Sequence, residues 1–187
     1  MLRGARALLI LSFGVAAIAG PASARVAERA PTAATVHASG SLTSERALET
    51  GVLQEINLLR RQHGLAALRV AAPLSAAARQ HSQSMALEGY FAHESADGSP
   101  FWKRLRRFYS PTGYGYWSVG ENLLYSSPDV DAHGALQLWL GSPKHRENML
   151  TARWREIGLS AIHSDAAPGV FGGVPATVLT ADFGVRR

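Results

Sequence analysis

From Thr43 onward, apolar residues recur at helical spacing. Ser44 is placed to cap a helix, Val52, Leu53, Ile56 and Leu59 fall on one face, and Gly64 stands where a left-handed cap would stop it. Asn57, Arg60 and Arg61 ride on this helix. A second helix opens at Pro73, in the first-turn position where a missing N–H costs little, and ends at Gly89. Leu74, Ala77, Ala78, His81 and Met85 share its apolar face, so His81 reads as a packed core histidine. Residues 90–98 read as a loop, and Ser99-Pro100 opens a short third helix over 100–108. Tyr, Gly and Pro make 109–117 irregular. A strand is expected over 119–125, then a fourth helix capped by Asp129 or Asp131 and ending near Leu140, then a helical turn from Ser142-Pro143. Two strands close the chain, 156–163 and 177–185, around a Gly/Pro turn region at 164–175. Helices come first and strands mostly last, which points to α+β with an antiparallel sheet and not to alternating βαβ units.

The start of the chain has a different pattern. Arg3 and Arg6 precede an apolar or small run over 7–19, Pro21 breaks it, and Ala22-Ser23-Ala24 offers an A-x-A cleavage site. This is the pattern of a secretory signal peptide over 1–24, and the run is short of the ~20 residues a spanning helix needs. The expectation is a secreted or periplasmic protein without a stable transmembrane anchor. Residues 25–44 are rich in Ala, Thr, Ser, Gly and Pro and read as a flexible linker, leaving one domain over 45–187.

Composition narrows the chemistry. The 187 residues are 47% hydrophobic and contain no cysteine, which excludes a disulfide scaffold, a thiolate metal site and a cysteine nucleophile. The formal charge of +5 falls to +3 once 1–24 is removed, since that segment holds two arginines and no acid. Lys103, Arg104, Arg106 and Arg107 form the one dense basic cluster and read as a solvated helix flank, with Phe101, Trp102, Leu105 and Phe108 supplying buried contacts. No zinc finger, RRM or KH pattern accompanies it, so nucleic acid is not an expected partner. No nucleophile elbow or phosphate-binding loop is present, and His93-Glu94-Ser95-Ala96-Asp97 lacks the second histidine of a zincin helix. What remains is a scattered set: His93 after Tyr90-Phe91-Ala92, Glu121 in Gly120-Glu121-Asn122, and His145 in Ser142-Pro143-Lys144-His145-Arg146.

Six segments, in order, resemble the CAP superfamily of cysteine-rich secretory, antigen 5 and pathogenesis-related proteins, in its bacterial cysteine-free form. They are Asn57-Leu58-Leu59-Arg60 with Gly64 to Leu68, Leu74 to Met85, Phe91-Ala92-His93, Gly120-Glu121-Asn122-Leu123, the stretch from Trp139 to Leu150 containing Ser142-Pro143-Lys144-His145-Arg146, and the closing Glu156-Ile157-Gly158-Leu159 and Asp182-Phe183-Gly184. The resemblance implies a three-layer α-β-α sandwich with a cleft that gathers two histidines and two acids. Carried over, these are His93, Glu121 and His145, with Asn122 and Ser142 beside them. The family's second acid follows the tryptophan at W-x-x-E, and Ser142 stands in that place here. Glu94 and Glu147 lie nearby without matching the motif. His93, Glu121 and His145 are a candidate set for a divalent metal such as zinc. The function implied is an extracytoplasmic binding module for a lipid, an envelope component or a protein partner. A metal-dependent hydrolase using the same cleft is the alternative, and no catalytic residue is assigned. Trp139 and Phe183 are expected to be largely buried.

Overall fold

The computed structural model describes Arg6–Ala7 and residues 41–187. The proposed signal peptide and linker otherwise lie outside the described residues. Among the described residues there are five α-helices: α1 (Arg46–Gln62), α2 (Ala72–Glu88), α3 (Phe101–Phe108), α4 (Ala132–Leu140) and α5 (Pro143–Met149). The strands are β1 (Arg6–Ala7), β2 (Leu42–Ser44), β3 (Arg69–Val70), β4 (Trp117–Ser127), β5 (Glu156–Ala167) and β6 (Val174–Arg186). They form one sheet in the order β1-β4-β6-β5-β2, antiparallel throughout that path, with β3 added in parallel to the start of β5.

The sheet separates two helical layers, as the resemblance implied. On one face Val52, Ile56 and Leu59 of α1, Leu136 and Trp139 of α4, and Met149 of α5 pack on Leu124, Leu159, Leu179, Ala181 and Phe183. On the other, Met85 and Ala86 of α2 meet Leu123, Ile162 and Val178, while Leu74 and Ala77 pack with Leu105 and Tyr109 around α3. Leu123 and Leu124 serve opposite cores because successive strand side chains point to opposite faces. The central contact is tight. A Cβ on Gly158 would fall 2.0 Å from the Leu74 carbonyl carbon, so α2 lies directly on the backbone of β5. Trp139 and Phe183 are fully buried.

Several boundaries differ from expectation. Leu42–Ser44, placed in the linker by composition, pairs with Ser164, His163 and Ile162. Ser44 therefore does not cap α1; Glu45 stands at that position without a side-chain cap, its N–H donating to Ala161 O. β5 and β6 run further into the Gly/Pro region than their apolar patterns suggested, meeting across a register shift between Ser164 and Ala167. Arg60, read as riding on its helix, is fully buried. Its Nη1 donates to Met149 O at 2.7 Å and Thr151 O at 3.1 Å, and its Nε to Ala66 O at 2.9 Å. A cation is well suited to the free carbonyls at a helix C-terminus. Arg60 thereby ties α1 to the end of α5, the helix that carries His145.

Candidate functional site

β4 pairs with β6 along nearly its whole length, whereas on its other side the described pairing covers Ser126 and Ser127 alone. The Gly120-Glu121-Asn122 segment lies on this strand, and its alternation divides the motif. Gly120 and Asn122 face α5. A Cβ on Gly120 would sit 2.6 Å from Asn148 Oδ1 and 3.0 Å from Trp154, so glycine is what lets that side chain lie against the strand. Asn148 Nδ2 donates to Asn122 Oδ1 at 2.9 Å, Asn122 Nδ2 donates to His145 O at 3.1 Å, and Trp154 Nε1 donates to Asn148 O at 2.9 Å. This chain of bonds fixes α5 on the sheet. Asn122 thus positions the helix carrying His145 and does not share the side of the sheet to which Glu121 points.

Glu121 turns toward α2 and α3, and its side chain is fully buried. His93 Nδ1 lies 2.8 Å from Oε1, and Arg104 Nη2 pairs with Oε2. His81, whose Nε2 is 2.9 Å from Ala92 O, has the same ring nitrogen 4.0 Å from Oε2. Arg104 Nη1 reaches His93 O and Ser95 Oγ, each at 3.3 Å, so one guanidinium holds both the acid and the loop bearing His93. The reading of Arg104 as a solvated flank is therefore corrected: it is 5% exposed, Lys103, Arg106 and Arg107 are the solvated members of that cluster, and Trp102 and Phe108, expected to supply buried contacts, are exposed. Its place on the helix was visible in the sequence, because Arg104 and Leu105 share the inward face, but nothing there revealed the buried acid it meets.

The second carboxyl comes from Asp182 and not from the position of Ser142. Asp182 stands directly across the ladder from Glu121, on the same face, fully buried, with neither oxygen hydrogen-bonded within the protein. An acid inside the run Val178-Leu179-Thr180-Ala181-Asp182-Phe183 was the available signal, since an unpaired acid is almost never fully buried. Ser142 is buried at the start of α5, where its carbonyl accepts from Arg146 N.

Two carboxyls so placed cannot both stay ionised cheaply. Burial pushes Glu121 up, but the hydrogen bond from His93 and the charges of Arg104 and His81 bring it below its ordinary value. Asp182 goes the other way: burial, then the Glu121 charge, raise it well above the usual carboxylate range. Burial lowers His81 to about 4, partly opposed by Glu121, and lowers His145 to about 4, with the nearby His93 adding to the effect. At neutral pH the site thus holds an ionised Glu121–Arg104 pair and two neutral imidazoles, with Asp182 pushed toward its protonated form by burial and by the Glu121 charge. His145 Nδ1 is buried without a partner.

A pH effect follows with a definite sign. The folded chain holds a proton on Asp182 to a higher pH than the unfolded chain does, so this group makes stability fall as pH rises above the unfolded carboxylate range. Asp182→Asn should remove that component, by up to about 1.4 kcal/mol per pH unit. Urea melts between pH 4 and 8 should show the variant gaining on wild type as pH rises. A variant whose stability relative to wild type stays constant or falls as pH rises would mean Asp182 is ionised in the fold.

The candidate metal set does not assemble in this geometry. Among the described residues no group of three His, Asp or Glu side chains is disposed to hold an ion. The reason is visible at Glu121, where the Arg104 guanidinium supplies the positive charge at one oxygen and His93 occupies the other. Beside the cluster, between α2, the 90–99 loop and α3, lies a cavity of about 620 Å³. Its lining includes His81 and Arg104 at the Glu121 end and Ser84, Tyr90, Lys103 and Arg107 around it. Arg104 Nε is buried without a hydrogen-bond partner.

Comparison with known proteins places this architecture. The model of the cysteine-rich secretory protein family, CAP, matches residues 53–181. The chain is 31% identical over 146 residues to the uncharacterized protein YkwD of Bacillus subtilis, covering 76% of this chain and 54% of that one. It is 31% identical over 111 residues to the uncharacterized membrane protein YlbC of the same organism, covering 59% of this chain and 30% of that one. The chain therefore spans about half of one of these relatives and a third of the other. An extracellular protein of Bacillus anthracis containing an SCP domain superposes with a TM-score of 0.57 at 26% identity, over 76% of this chain and 41% of that one. An outer surface protein of Borrelia burgdorferi superposes with a TM-score of 0.63 at 16% identity, over 79% of this chain and 99% of that one, a likeness of fold.

Proposed function

The chain belongs to the cysteine-rich secretory protein (CAP) family, and from that premise we propose that it is an extracytoplasmic binding module whose ligand is held by the polar cleft built around Glu121. The observation that carries this reading is the state of Glu121 itself. Both of its oxygens are engaged, by His93 and by Arg104, and its charge is held by a cation that cannot be deprotonated in a protein. A general base needs a free oxygen and a pKa near the working pH, and Glu121 has neither. What the site offers is hydrogen-bonding capacity on a rigid frame: the partly exposed His93 ring, and the adjoining cavity lined by Gln80, Ser84, Tyr90 and Arg104. The expected ligand is a polar envelope component or lipid headgroup. A location outside the cytoplasm is supported by the tripartite start of the sequence and by similarity to extracellular and outer-surface proteins. No helix among the described residues is long and apolar enough to cross a membrane.

The test is to incubate the purified chain with an extract of its native envelope, recover it, and identify co-purifying small molecules by mass spectrometry. Ser84→Trp, which fills the cavity, should abolish recovery of the ligand while leaving the thermal midpoint nearly unchanged. Ester, phosphoester and peptide substrates should remain intact with and without chelator. Hydrolysis abolished by a chelator, or by Glu121→Gln in a variant that still folds, would overturn the binding reading in favour of the hydrolase.

A further inference from the structure

α3 and the segment after it carry an unusual surface. The exposed large aromatics among the described residues are Trp102, Phe108, Tyr114 and Tyr116, all within one short stretch. Lys103, Arg106 and Arg107 are exposed on α3, on the side opposite buried Arg104 and Leu105. The end of β6 adds Arg186 and Arg187. Arg186 lies 4.2 Å from the Tyr109 ring and 4.8 Å from the Tyr114 ring, and its Nη1 donates to Ser110 O at 3.3 Å. Arg187 lies 5.1 Å from the Tyr116 ring. Cations and aromatics are thus interleaved from α3 to the sheet end.

Acids are sparse on this surface, Glu88 and Asp97 lining the same cavity as Lys103 and Arg107. None occurs between Asp97 and Glu121 in the sequence. Asp97 stands at one border, facing Lys103, and Glu156 at the other has its carboxylate taken by the Tyr109 hydroxyl. Exposed tryptophan and tyrosine are the residues that settle at the headgroup level of a bilayer, and clustered lysine and arginine are drawn to anionic lipid. A soluble polyanion would account for the cations but gives no reason to leave Phe108 in water.

We propose that the outward face of α3, together with the 109–116 segment and Arg186–Arg187, is a docking surface for an anionic lipid bilayer. This goes beyond the binding reading above and does not depend on what occupies the cleft. Lys103 and Arg107 belong both to this surface and to the cavity lining, so docking would turn the mouth of the cavity toward the headgroups.

Sedimentation with vesicles tests it, using the whole chain in wild-type and variant form so that any contribution of residues 1–40 cancels. The chain should bind vesicles of phosphatidylcholine mixed with phosphatidylglycerol, bind phosphatidylcholine alone far more weakly, and lose affinity as salt rises. Arg106→Glu with Arg187→Glu touches neither the Glu121 cluster nor the cavity and should weaken binding on the order of twentyfold or more, at roughly fivefold per cation. Tryptophan emission should shift to the blue on binding, and Trp102→Ala should reduce that shift, leaving at most the part contributed by half-buried Trp117, because Trp139 and Trp154 are already buried. Equal binding to both vesicle types, or binding unaffected by the charge reversals, would overturn the proposal. So would retention by a soluble anionic polysaccharide without vesicle binding, or self-association in solution that Trp102→Ala abolishes, since each would assign the face to another occupant.

Discussion

Replacing Arg104 by leucine should destabilise the fold by about 3–5 kcal/mol at pH 7, the cost of leaving one member of a buried ion pair alone. The Arg104 side chain is 4% exposed and meets a carboxylate side chain with no exposure. Its loss would leave Glu121 ionised against His93 alone, across the ladder from Asp182. The same substitution frees the 93–95 loop, because the bonds to His93 O and Ser95 Oγ go with it. The deficit should depend on pH with a known sign. In the wild type Glu121 sits below its ordinary value, so its contribution is present above about pH 4.5 and is lost as pH falls through the lowered value. In the variant that contribution is absent throughout, and the gap between the two proteins should close in acid. Removing both partners, Arg104→Leu with Glu121→Leu, should recover most of the loss, since a buried pair replaced by apolar groups is often close to neutral. Urea denaturation of Arg104→Leu, Glu121→Leu and the double variant measures this. A single variant within about 1 kcal/mol of wild type, or a double variant worse than either single, would show that the pair is not the electrostatic centre described here.

Trp139→Ala should cost a similar amount, about 3–5 kcal/mol, by a different mechanism. The side chain is fully buried at the centre of the layer formed by α1, α4 and α5. Its truncation opens a cavity that surrounding side chains cannot fill without leaving their rotamers. Its Nε1 also donates to Leu123 O at 3.0 Å, a carbonyl on the strand that carries Glu121. Trp139→Phe separates the two contributions: it keeps much of the volume, loses the donor, and should cost about 1–3 kcal/mol. Because Leu123 lies two residues from Glu121, the alanine variant should also disturb the site. Chemical shifts of the His93 and His145 rings should move in Trp139→Ala at temperatures where it remains folded. Unmoved rings in a destabilised variant would mean that the two helical layers respond independently.

Much of the fold was legible along the chain because its determinants are local and periodic. The apolar spacing around Val52 and Ile56, Pro73 and Gly89 at the ends of α2, and Asp131, which caps α4 by accepting from Gly134 N at 2.7 Å, all act within a turn or two of themselves. The order of helices before strands was enough for α+β. Where local signals were weak, boundaries slipped: Leu42–Ser44 has a single large apolar residue, Leu42, and it becomes a strand because β5 presents an edge for it to pair with.

The site was half legible. The resemblance singled out His93, Glu121 and His145, and the structure bonds His93 to Glu121 and brings His145 near enough for the charge on His93 to affect it. Arg104, His81 and Asp182 were each read as something else, as a solvated flank, a core histidine and a strand residue. His81 is a packed histidine, but the loop carbonyl it contacts and the acid beside it belong to the site. What the amino-acid sequence determined by itself was which residues are apolar, where helices begin and end, and which rare polar residues interrupt an apolar run. What the tertiary structure alone decided was the identity of the second acid and of the counter-ion. The register of β4 against β6 sets Asp182 opposite Glu121, across a separation of 61 residues, and the docking of α3 brings Arg104 over both. Electrostatics in a protein interior is set by distance and burial, and neither quantity is written in the local pattern of the chain.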